Sequence, residues 1–75
     1  MPQFAPKKKY LNAEMCGLSA AYIAGELQAN AEGRGEAHHL WTCPEDFDRK
    51  AARLYHPEEV TAIRAVLVKM GALSA

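Results

Sequence analysis

The sequence predicts a small, mostly α-helical single domain of about three helices, over about residues 12–30, 44–54 and 57–70. Three observations predict it. Apolar residues recur at three- and four-residue spacing in separate stretches, the period of one helix face. The last of these stretches has both ends marked by capping residues. Finally, 75 residues of which 49% are hydrophobic suffice for one thin core and leave no room for a second domain.

Residues 1–9 hold two prolines, no periodicity and the run Lys7-Lys8-Lys9, so they read as a flexible basic arm, with the domain occupying 10–75. Asn12 is of a type that caps helices. From there the pattern turns helical: Leu11, Met15, Leu18 and Tyr22 are spaced four, three and four apart, and Ile23 and Leu27 continue the stripe obliquely. Gly17 followed by Ser19 marks a point where a short helix, a turn and a second helix could replace one continuous helix. The stretch NAEGRGE, residues 30–36, ends the pattern and reads as a surface loop.

The middle, HHLWTCPEDFDRKAARLY, admits two readings. One is a short wing-like hairpin within 38–55, with strands at 38–43 and 49–55. The other is a helix from about Pro44 to about Leu54. Thr42 and Glu45 have capping-box spacing, Pro44 suits a first turn, Glu45 and Asp46 suit the positive helix end, and Phe47, Ala51, Leu54 and Tyr55 share a face. Ala51-Ala52 have poor strand propensity. Local physics favours the helix. Trp41, just before it, reads as the main core anchor.

In the last helix His56 takes the cap position, Pro57 supplies a fixed φ where its missing N–H costs nothing, and Glu58-Glu59 oppose the positive end of the dipole. Val60, Ile63, Leu67 and Met70 form the stripe, with Val66 beside it. Gly71 ends the helix as a left-handed cap. The stripe closes the core.

The stretch RLYHPEEVTAIRAVLVKMGA resembles the end of the DNA-binding domain in the MerR-like and excisionase-like winged helix–turn–helix families, through Arg53, Leu54, Tyr55, Glu59, Val60, Ile63, Leu67 and Gly71. The opening YLNAEMCGLSAAYIAGELQAN resembles theirs, with Leu11-Asn12 entering a helix, Gly17-Leu18-Ser19 as the turn and Ala20 to Ala29 as the recognition helix. The resemblance implies a helix–turn–helix-like domain acting as a bacterial or phage DNA-binding regulator, either a transcription regulator or an excisionase-like recombination factor. The implied recognition helix has no Lys or Arg, so base reading would fall to Tyr22, Gln28 and Asn30.

Charge bears on the same question. Nine Lys plus Arg balance nine Asp plus Glu, so no global field draws this chain to a polyanion, and DNA binding would rest on local clusters. Those are Lys7, Lys8 and Lys9 on the arm, with Arg34, Arg49, Lys50 and Arg53 around the middle segment; they would contact phosphates and position the protein without specifying sequence. The alternative partner is protein: a neutral, alanine-rich helical chain suits a small inhibitor or adaptor, of a kind carried by phages and mobile elements, that docks on a larger host enzyme such as the transcription machinery.

No run of 18 apolar residues suggests a membrane span, and MPQFAPKKKY lacks a signal peptide's apolar core, so cytoplasm is the expectation. There Cys16 and Cys43 are expected as free, buried thiols. Cys16, His38, His39, Cys43 and His56 are zinc-binding types, but no C-x-x-C pair exists, so neither metal nor other cofactor is expected. So short a chain has little room for a substrate pocket, and no catalytic residues or small-molecule substrate are assigned.

Overall fold

The computed structural model describes residues 13–74, and these form three α-helices: α1 (Ala13–Ala31), α2 (Phe47–Leu54) and α3 (Pro57–Met70). The expected arm with Lys7, Lys8 and Lys9, and the Asn12 cap, lie outside the described residues. Among the described residues there is no strand. The segment that could have made a wing hairpin is instead a 3₁₀ turn, Pro44–Asp46, leading directly into α2. Arg53 and Leu54, which the resemblance would place on a wing strand, are helical.

The α1 helix runs unbroken through Gly17, Leu18 and Ser19, so no turn divides it. Alanine on both sides supplies the propensity that one glycine lowers by only about 1 kcal/mol. At its far end Gly33 adopts φ 81°, and the Arg34 N–H reaches back to the Ala29 carbonyl at 2.7 Å while the Gly33 N–H reaches that of Asn30 at 3.2 Å. These two bonds satisfy carbonyls that the helix leaves open, and they need a residue that tolerates left-handed φ.

The buried face of α1 matches the expected stripe at Ile23 and Leu27 and departs from it before them. Cys16, Ala20, Ile23 and Leu27 are in the core, whereas Met15, Leu18 and Tyr22 are exposed by 41%, 66% and 64%. The two rows are offset by one residue, which turns the helix by about 100°. Both are apolar at helical spacing; the buried row is the one whose small members, Cys16 and Ala20, let α3 approach. The α1–α3 pair is the principal helix packing.

The 3₁₀ turn that leads into α2 starts one residue later than a Thr42 cap would give. Cys43 is the extended residue before the 3₁₀ turn, Pro44 is the first residue of that turn, and the Cys43 thiol donates to Glu45 Oε1 at 2.7 Å. The expected Thr42–Glu45 box therefore gives way to a Cys43–Glu45 contact, because Pro44 at the first position makes its predecessor the cap. Phe47 and Ala51 are buried, Tyr55 is half-buried, and Leu54 is 47% exposed, so the expected apolar face is narrower than drawn.

The start and end of α3 are as expected. His56 is extended ahead of Pro57, and its backbone N–H donates to Glu59 Oε1 at 2.9 Å. Gly71 sits at φ 87°, and the Ala72 N–H returns to the Leu67 carbonyl at 2.8 Å, which tucks Leu73 into the core. Ile63 and Leu67 are fully buried, Val60 and Val66 half-buried, and Met70 half-exposed. Trp41 is buried, with its ring centroid 5.6 Å from that of Phe47. Arg64 donates to both Asp48 oxygens at 3.0 and 3.1 Å, tying α3 to α2 at the surface.

Candidate interaction surfaces

The structure gathers Arg49, Lys50 and Arg53 on α2, where spacings of three and four residues put Arg53 beside both others. Their charges are differently committed. Arg49 pairs with Asp46 at 3.0 Å, and the Lys50 ammonium donates to the Leu40 carbonyl. Arg53 has no hydrogen-bond or ion-pair partner among the described residues. Arg34 is not part of this group: it follows α1 and forks onto Glu32, whose carboxyl is held below the ordinary range by Gln28 and then by Arg34. Surface pairs of this kind contribute little stability, but they reduce the charge offered to a partner.

A polar ladder at one flank of α1 was not anticipated. Tyr22, Glu26 and Asn30 succeed one another at four-residue spacing. Glu26 is buried; one of its oxygens accepts the backbone N–H groups of Leu40 at 3.0 Å and Trp41 at 3.1 Å. Burial pushes this carboxyl up, but the Tyr22 hydroxyl, the Trp41 and Leu40 N–H groups and nearby His39 together outweigh it and hold Glu26 below the ordinary carboxylate range. The same contact raises the Tyr22 phenol.

One turn on, the Asn30 amide donates to the Glu26 carbonyl at 2.9 Å and lies 3.0 Å from His39 Nδ1. A side chain at Gly35 would collide with the Asn30 amide and push it from these contacts. Together these contacts moor the segment from Gly35 to Trp41 against α1. They also border a shallow, open depression of about 440 Å³ lined by Tyr22, Glu26, Arg34, Glu36, His38 and His39 among others. Its buried carboxylate already accepts three donors, so its chemical capacity is spent on holding the loop. The sequence signal for this ladder is the four-residue spacing of Tyr22, Glu26 and Asn30 along one helix.

The outer face of α1 carries Met15, Leu18 and Tyr22, with Ala21 and Gly25 exposed beside them. Within α1 the only charged residues are Glu14 and Glu26, and Glu26 is buried. A second apolar exposure lies between the moored loop and α2, where Leu40 and Leu54, 44% and 47% exposed, line a groove of about 290 Å³ with Lys50 and Arg53.

Both cysteines are free: Cys16 is buried, but Cys43 is half-buried at the start of the 3₁₀ turn and not in the core as expected. Burial, then Glu59, raises the Cys16 thiol; the Glu45 hydrogen bond chiefly raises that of Cys43. In a thiol-reagent assay without reductant, one equivalent is expected to react in native protein and the second only after denaturation. Two unreactive thiols in denatured protein would mean a bridge instead.

Among the described residues no group of three or more His, Cys, Asp or Glu is placed to hold a metal ion, and no helix is long and apolar enough to cross a membrane. No family model, curated protein or solved structure matches the chain.

Proposed function

We propose that this domain is a protein-docking module, a small adaptor or inhibitor that binds a larger protein through the outer face of α1. The supporting observation is that α1 is apolar on two faces. A second apolar face on a core helix is ordinarily covered, yet Leu18 and Tyr22 are about two-thirds exposed. Tyrosine and leucine spaced four residues apart on a rigid helix, beside Ala21 and Gly25, offer anchor residues with an open surface between them. The near-absence of charge on this face matches the core of a protein interface, where charged residues are depleted.

A second reading is a small DNA-binding regulator of the MerR-like or excisionase-like kind, and the cluster of Arg49, Lys50 and Arg53 on α2 favours it. Two features weigh on the other side. Arg49 is already paired with Asp46, and α3, which follows α2 after Tyr55 and His56, carries Glu58 and Glu59 in its first turn, where they would repel a phosphate approaching that helix end.

One experiment separates the readings. Tagged protein is used to capture partners from a bacterial lysate with and without nuclease, alongside Leu18→Glu and Ala21→Glu variants, both at exposed positions and checked for an unchanged melt. Docking through α1 predicts a protein partner that survives nuclease and is lost from both variants. Capture that is equal in all three proteins removes α1 as the contact. If DNA is the ligand, duplex affinity falls with salt at a log–log slope of about −0.9 per phosphate neutralised, and changing Arg49, Lys50 or Arg53 to Ala reduces that slope by about one each.

A further inference from the structure

We propose that the groove between the moored loop and α2 is a second docking site, for an acidic segment of a partner protein that anchors one leucine- or phenylalanine-class side chain. The floor is Leu40 and Leu54, which are nearly half exposed and come from different parts of the fold. Its rim is cationic: Lys50 and Arg53 lie one turn apart on α2. Lys50 donates to the Leu40 carbonyl, which fixes the ammonium at the groove edge and leaves two of its three protons free to be donated. Arg53 has its whole guanidinium fork to offer, with no partner among the described residues.

Apolar floor and cationic rim together select the occupant. At about 290 Å³ the groove lies at the lower edge of small-molecule sites, and it is the size for a side-chain anchor. A carboxylate three or four residues from that anchor, on a helical ligand, falls within reach of Lys50 and Arg53, where a bidentate Arg–carboxylate pair gives orientation as well as attraction. The chain's own amino-terminal run Lys7-Lys8-Lys9 has the wrong sign for this rim. A nucleic acid would use the cations but has no apolar anchor for Leu40 and Leu54. The site therefore calls for acidic, apolar protein sequence. It is independent of the α1 face, since it shares none of the residues argued for that surface.

The test is an immobilised library of ten-residue peptides with Leu or Phe fixed at the centre and all flanking positions varied, probed with full-length protein. Selected peptides and their basic-flanked counterparts are then compared by fluorescence anisotropy. Asp and Glu are expected to be enriched three or four residues from the anchor. Leu54→Ser should weaken binding roughly tenfold, the order of effect one apolar anchor carries. Arg53→Glu should transfer the preference to peptides with Lys or Arg flanks. Both changes lie at exposed positions, and a melt confirms the fold. No flank enrichment, or an unchanged preference in Arg53→Glu, overturns the proposal. So does self-association of the chain, or duplex DNA binding, that Leu54→Ser abolishes. Leu18→Glu is carried in parallel: it leaves peptide binding intact if the groove acts alone, so failure of the α1 reading and failure of this one are told apart.

Discussion

Leu67→Asp is expected to leave the protein unfolded at room temperature, and Ile63→Asp to do the same, while Leu18→Asp on α1 melts within a few degrees of wild type. Leu67 and Ile63 have no exposed surface and pack in one cluster with Ile23, Leu27, Trp41 and Phe47. Truncating such a leucine costs about 2–5 kcal/mol in lost transfer energy and cavity, and a carboxylate without a partner adds a desolvation cost of several kcal/mol more. A 75-residue domain has only about 4–11 kcal/mol of total stability to lose. Leu18 is two-thirds exposed, and surface changes of this kind move stability by about 0.5 kcal/mol or less. Circular dichroism of the three variants measures the contrast. A cooperative melt near the wild-type temperature for Leu67→Asp would mean that α3 does not close the core.

That contrast marks where sequence reasoning succeeds and where it stops. The α3 helix was legible at both ends because its signals are local: Pro57 and the paired glutamates act within one turn, and Gly71 acts through its own φ. The helical reading of Pro44 to Leu54 was legible for a similar reason, since Ala51-Ala52 disfavour a strand wherever they sit. The burial of α1 was legible only in its second half, at Ile23 and Leu27. Met15-Leu18-Tyr22 and Cys16-Ala20-Ile23-Leu27 are both helical stripes, and choosing between them depends on the side chains α3 presents, which is tertiary information. The basic residues of α2 could be named from the sequence, but their commitments could not. Asp46 sits within a turn of Arg49 and was a foreseeable partner, whereas the Lys50 contact with the Leu40 carbonyl spans ten residues and exists only once the loop is moored.

The mooring itself yields the second large expectation. Glu26→Ala removes the acceptor for two backbone N–H groups at Leu40 and Trp41, the latter buried, and donors left unsatisfied in this way cost about 1–3 kcal/mol each. A loss of about 2–4 kcal/mol is therefore expected, with Trp41 fluorescence shifting to the red as the loop admits water. Glu26→Gln keeps an oxygen in place but removes the charge, and it isolates the acid dependence. In the folded protein the Glu26 carboxyl is held below its ordinary value of 4.5, so the folded state binds its proton less readily than the unfolded chain. The resulting stability is fully present above that ordinary value and is lost as pH falls through the lowered one. The stability difference between wild type and Glu26→Gln should accordingly be present at about pH 5 and shrink progressively below about pH 4.5. Glu32 and Glu45, also lowered, are exposed and unchanged in the variant, so their contributions cancel in the difference. Urea denaturation of both proteins across that range measures it. A difference that does not shrink in acid would show that Glu26 holds the loop without its charge, and the Tyr22–Glu26 contact would then have to bind a protonated acid.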